Sequence, residues 1–97
     1  MKRILAAITV AVTLVASSAS AFDPEDLKQL NETNECQKCE LTGAYLNRAT
    51  LTRANLTGAH LSKAYLSKAN LTGAKLTGAK LIWAHLFDAD LKGADLT

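Results

Sequence analysis

The chain has 97 residues, a formal charge of +2 and 48% hydrophobic residues. That length accommodates one small domain, and a balance so close to neutral gives no ground for a polyanionic partner such as nucleic acid. With only two cysteines there is no second cysteine pair, which excludes the zinc sites built from two C-x-x-C elements.

The first element in chain order is a leader. Met1-Lys2-Arg3 is a short basic start, Ile4 to Ala16 carries no charge, and Ser17 to Ala21 are small residues ending in Ala19-Ser20-Ala21. This order predicts a secretory signal peptide over residues 1–21, cleaved after Ala21, and therefore a periplasmic or secreted product. The uncharged run of 13 residues is shorter than the roughly 20 needed to span a bilayer, so no stable membrane insertion is expected after cleavage. Cleavage would remove Lys2 and Arg3 and leave a formally neutral chain.

Residues 22–38 form the next segment, an N-terminal cap. Asp23-Pro24-Glu25 has the order of a helix N-cap, a proline at the first helical position and an acidic first turn. The spacing predicts a short helix near residues 24–32, with Leu27 and Leu30 on one face. The segment ends in Cys36-Gln37-Lys38-Cys39. A zinc site would need further ligands. A thioredoxin-like pair belongs beside a βαβ unit, and no such unit is present. A structural disulfide agrees with an exported chain, because oxidising compartments preserve such bonds. The redox use of the pair stays open as the alternative.

From residue 39 the chain obeys one rule. Leucine stands at 41, 46, 51, 56, 61, 66, 71, 76, 81, 86, 91 and 96, with alanine two residues before each from Ala44 to Ala94 and Cys39 in the equivalent place before Leu41. On a helix, five residues advance the direction by about 500°, so successive leucines drift by about 140°. On a flat strand an odd repeat alternates between faces. A chain that turns a corner every five residues sends every leucine and alanine to one interior, and four such sides close a square coil of 20 residues.

These residues resemble the pentapeptide repeat family, whose pattern is A-(D/N)-L-x-x; "ANLTG" stands at 54–58 and 69–73, and "ADLKG" at 89–93. The resemblance covers residues 39–97. It implies an all-β solenoid, a right-handed quadrilateral β-helix, here of about three coils behind the short N-terminal capping helix. Exported members carry a similar C-x-x-C ahead of the first coil, which implies a structural disulfide between Cys36 and Cys39. Other members resemble DNA in shape and charge and bind DNA gyrase; this chain departs from them in its leader, its basic repeat segment and its small number of coils.

The outward positions carry what function the repeat could have. Gly43, Gly58, Gly73, Gly78 and Gly93 occupy the turn position that suits positive φ. Arg48, Arg53, Lys63, Lys68, Trp83 and Asp88 share that phase, and for these corners another turn type is expected. Residues 20 apart should stack, which puts Tyr45, Tyr65 and His85 in one column, Arg48, Lys68 and Asp88 in a second, and Glu40, His60 and Lys80 in a third. His60 and His85 fall in different columns, so no metal site follows. The basic residues spread over all sides rather than forming a nucleic-acid stripe. Ile82, Trp83 and Phe87 break the polar pattern of the last coil and, with Tyr45 and Tyr65, make the candidate interaction patch. No histidine has a carboxylate orienter suggested by the pattern, no serine lies outside the leader or the regular repeat, and there is no Gly-rich phosphate loop. The expectation is therefore no enzyme, with no catalytic, cofactor-binding or metal-binding residues. It is an exported structural or protein-interaction module with an unknown protein partner, and a homodimer through the C-terminal coil is one option. The alternatives are a thiol-redox accessory using Cys36 and Cys39 and, more remotely, a gyrase-binding DNA mimic.

Overall fold

A computed structural model describes residues 21–97; apart from Ala21, the predicted signal peptide lies outside the described residues. The first element is helix α1, Pro24–Thr33. Asp23 caps it, its Oδ1 accepting from the Glu25 N–H at 2.9 Å, and Pro24 supplies a fixed φ where no amide bond is needed. Glu25 and Asp26 in the first turn suit the positive end of the helix dipole. Asn34 ends the helix in the left-handed region at φ 60°, its N–H donating to the Leu30 carbonyl at 2.9 Å. One face of α1 enters the core: Leu30 is fully buried and Leu27 packs against the same cluster, as does Phe22 just ahead of the helix. The helix expected near 24–32 is present and one residue longer.

Beyond α1 the backbone repeats every five residues and meets itself every 20. Parallel bridges join Glu35 to Asn55, Glu40 to His60, Tyr45 to Tyr65 and so on to Lys75 and Asp95. Each bridge is isolated, and no longer strand occurs among the described residues. The reason is local: two residues of every five are spent in a turn, which interrupts any ladder after a single step. Amide satisfaction is nonetheless dense. Leu41 N–H donates to the His60 carbonyl at 2.8 Å, His60 N–H to the Cys39 carbonyl at 2.9 Å, Gly43 N–H to the Ser62 carbonyl at 2.9 Å, and Ala44 N–H back to the Leu41 carbonyl at 3.0 Å. In four units the amide left over, just after the leucine, is met by a side chain. Asn55, Asn70, Asp90 and Asp95 accept through Oδ1 from the N–H groups of Thr57, Thr72, Lys92 and Thr97 at 3.0–3.2 Å. This is the physical reason for an Asn or Asp ahead of the leucine.

The periodic pattern begins one unit before the first leucine. Glu35 makes the first bridge, Cys36 N–H donates to the Asn55 carbonyl at 2.8 Å, and Lys38 takes the left-handed turn at φ 59°. Cys36 occupies the leucine place of that unit and Asn34 the alanine place. The leucine spacing alone starts the repeat at residue 39 because this unit contains neither residue.

The turn expectation is corrected by the backbone. Arg48, Arg53, Lys63, Lys68, Trp83 and Asp88 have φ of 59–63°, beside 70–73° for the five glycines. All corners use the same left-handed turn. The hydrogen bonds on both sides of it leave no other conformation, so the Cβ penalty is borne at every non-glycine corner. Arg53→Gly is therefore expected to raise stability by about 0.5–1 kcal/mol, read as a higher urea midpoint at unchanged m-value.

The interior is leucine and alanine. Leu41, Leu46, Leu51, Leu56, Leu61, Leu66, Leu71 and Leu76 are at most 3% exposed, and Ala44, Ala54, Ala59, Ala64, Ala69 and Ala74 at most 1%. Alanine leaves the room its leucine neighbours fill. α1 closes one end over Cys36, Cys39 and Leu41, whereas Leu81, Leu86 and Leu91 at the other end are only partly buried.

Candidate interaction surface

One side of the stack differs from the rest. Its centre is the bridged column Tyr45, Tyr65, His85, in which the tyrosine rings stack at 5.0 Å with a 24° interplanar angle and Tyr65 meets His85 at 4.8 Å, tilted by 51°. A turn flanks the column on each side. One corner carries Gly43, Ser62-Lys63 and Ile82-Trp83; the other carries Arg48, Ser67-Lys68 and Phe87-Asp88. The inter-turn bonds Gly43 N–H to Ser62, Lys63 N–H to Ile82, Arg48 N–H to Ser67 and Lys68 N–H to Phe87 fix this order. Corner side chains point outward because the leucine and alanine of each unit take both inward directions. Hence Tyr45, Ile82, Trp83 and Phe87 are 67–74% exposed, and among the described residues only Leu96 of the large exposed hydrophobic residues lies elsewhere. The structure thus places Ile82, Trp83, Phe87, Tyr45 and Tyr65 on one side. Lys63 Nζ sits 5.5 Å from the centroid of the Trp83 ring, a cation–π distance.

The cysteines lie at the opposite task. Their sulfurs are bonded at 2.06 Å across a Cα–Cα distance of 5.3 Å. Cys39 N–H donates to the Cys36 carbonyl at 3.2 Å, the same turn that joins each leucine to the alanine three residues on. The repeat's own geometry thus brings the two inward positions within disulfide reach. Cys36 is fully buried and Cys39 4% exposed, and Cys36 Sγ rests 3.3 Å from the Asp26 carbonyl oxygen of α1. Thiol exchange requires in-line access for an attacking thiolate, which this burial withholds.

One histidine does have a carboxylate beside it, which corrects the sequence expectation. His60 Nδ1 lies 3.0 Å from Glu40 Oε1, a contact made by residues 20 apart and invisible in local sequence. Thr42 Oγ1 donates to the other carboxylate oxygen at 2.5 Å, and Asp26 Oδ2 accepts from the Glu40 N–H at 2.8 Å. The Thr42 hydroxyl, then the Thr42 backbone N–H and after them the neighbouring His60 ring, hold the Glu40 carboxyl below its ordinary value against the opposing effect of partial burial. The hydroxyl sits on the carboxylate rather than on the imidazole, the reverse of a nucleophile–base–orienter order. The set serves to tie α1 to the first turn, together with the Asp23 N–H bond to the Glu40 carbonyl at 2.9 Å.

Nothing else in the described residues gathers chemistry. No group of three His, Cys, Asp or Glu side chains could hold a metal ion there. A groove of about 330 Å³ is lined by Glu25, Asp26, Lys28, Gln29, Glu32 and Thr33, all from α1. No described helix is long and apolar enough to cross a membrane.

No curated protein matches the chain significantly. The profile of the family described as pentapeptide repeats matches in eight copies, over residues 35–73 and 64–97. Its first matched residue, Glu35, is also the first to bridge a neighbouring turn. With the five-residue backbone cycle, the inward leucines and a match over more than half the sequence, this chain belongs to the pentapeptide repeat family.

Proposed function

We propose that the chain is an exported, non-enzymatic module whose repeat segment is a right-handed quadrilateral β-helix of about three coils, and that it works by presenting a rigid side to a protein partner in the periplasm or outside the cell. The observation that carries this reading is the clustering of Tyr45, Ile82, Trp83 and Phe87, each at least 67% exposed, on one side of the stack, with Leu96 the one other large exposed hydrophobic among the described residues. An exposed cluster of this kind on a small soluble domain marks a contact surface. Rigidity follows from the repeat, since backbone bonds between successive turns fix every outward residue relative to its neighbours and little ordering entropy remains to be lost on binding. Family membership agrees with a non-enzymatic role. The sulfurs are joined and buried, which disfavours the thiol-redox alternative. The side carries Arg48, Lys63 and Lys68 against Asp88 alone, which is the wrong sign for a duplex mimic.

A photo-crosslinking residue at position 83 of the full chain, expressed in a bacterial host, tests the reading. The expected result is a shortened chain in the envelope or medium that crosslinks to protein, itself or another, with loss of crosslinking in a Phe87→Ser background. A chain retained at full length in the cytoplasm, or one giving no protein crosslink from position 83, would count against it.

A further inference from the structure

The two corners of the aromatic side run in opposite senses. One reads Arg48, Lys68, Asp88 from the first turn to the last, cation to anion. The other reads Gly43, Lys63, Trp83, hollow to ring. A Cβ built on Gly43 would meet nothing within 4 Å, so the surface there is open. Neither Arg48 nor Asp88 makes an ion pair within the described residues. Trp83 is 74% exposed and Phe87 71%.

A surface with these gradients is complementary to itself turned upside down. Take a two-fold axis lying in the contact plane, across the stacking direction and through Tyr65. It sets each corner against the same corner of another copy with the order of turns reversed. Arg48 then faces Asp88 of the second copy, and Asp88 faces its Arg48. Trp83 faces the hollow at Gly43, and Tyr65 meets its counterpart. The axis parallel to the stack is worse, because it sets Lys63 against Lys68 and leaves the hollow opposite Arg48. We propose that the Tyr45–Tyr65–His85 side binds a second copy of this chain, antiparallel, with Arg48–Asp88 pairs at one corner and Trp83 seated over Gly43 at the other. This rests on reading that side as an interaction surface, and it names the partner.

The arrangement satisfies the isologous requirement of a two-fold dimer, in which one patch serves both copies. Placing Arg48 opposite Asp88 also disfavours the parallel register. Lys63 and Lys68 face their own counterparts across the middle turn, which weakens the contact. Three turns at strand-like spacing of about 4.8 Å also keep it at the small end of protein interfaces. The association is therefore concentration-dependent rather than permanent. An anionic bilayer is a poorer occupant, because the Asp88 carboxylate beside Phe87 would be driven against like charge.

Sedimentation equilibrium of the chain purified after export, up to about 1 mM, a Kd corresponding to about 4 kcal/mol of binding, gives the test. Wild type is expected to show a monomer–dimer equilibrium. Arg48→Asp sets two carboxylate pairs face to face and should weaken it by about tenfold or more. Aspartate tolerates the left-handed φ of this corner, and unchanged circular dichroism would confirm folding. The swap Arg48→Asp/Asp88→Arg should restore dimerisation to near wild type, and Trp83→Ser should lose it by a similar factor. The proposal is overturned by a monomer at every concentration, by a dimer indifferent to Arg48→Asp, or by a charge swap that fails to restore association. A strictly monomeric chain that still crosslinks from position 83 to a different protein would remove the dimer and leave the interaction reading standing.

Discussion

Leu61→Asp is expected to leave the repeat segment unfolded at 25 °C, with no cooperative thermal transition by circular dichroism. Leu61 is fully buried, its N–H donates to the Lys80 carbonyl of the next turn, and the adjacent His60 N–H donates to the Cys39 carbonyl of the turn before. The substitution removes a packed leucine, a loss of about 2–5 kcal/mol, and leaves a carboxyl with no polar partner inside. An uncompensated buried charge adds several kcal/mol more. The sum matches or exceeds the roughly 5–15 kcal/mol that holds a whole domain together, and a segment this small sits at the lower end. Leu96→Asp is the control: that side chain is 54% exposed and the change should cost little. A cooperative melt for Leu61→Asp close to that of wild type would contradict the leucine interior.

The interior was legible because it repeats. Twelve leucines at a fixed interval rule out helix and flat strand on geometry alone, and the 20-residue bridges, the inward alanines and the stacked Tyr45–Tyr65 pair all appear where that interval puts them. What remained hidden has three physical sources. Cys36 conceals the first unit, because a sulfur fills the place the pattern marks with leucine. The left-handed corners at Arg48 or Trp83 are hidden because φ is imposed by hydrogen bonds between turns, and residue identity at that position says little against them. The Glu40–His60 contact depends on which side chains lean toward each other along a column, and column membership alone does not state that. The signal available for the first unit was the bridge residue: Glu35 precedes Cys36 as Glu40 precedes Leu41, and Cys36 and Cys39 stand in the same relation as Leu41 and Ala44.

That relation yields the second large effect. Cys36→Ala/Cys39→Ala is expected to destabilise the chain by about 2–5 kcal/mol, and to do so unevenly. Chain entropy of so short a loop supplies only part of this; the rest is packing, since the joined sulfurs fill the first turn beneath α1 and touch the Asp26 carbonyl. In a stack where each turn contacts only its neighbours, damage at one end stays near that end until the remaining turns fail together. Hydrogen exchange should therefore accelerate first in α1 and residues 34–43, while the amides of residues 59–76 keep their protection. Cys36→Leu/Cys39→Ala writes the repeat's own inward pair into the same unit and should recover part of the loss without any cross-link. The shortfall from wild type would measure how much the sulfur bond does that packing cannot, with the Asp26 carbonyl limiting the room for a leucine. Uniform acceleration along the whole chain in the double alanine variant would show that the first turn is not a separate end of the stack, and unchanged exchange in α1 would show that the disulfide does not hold the helix down.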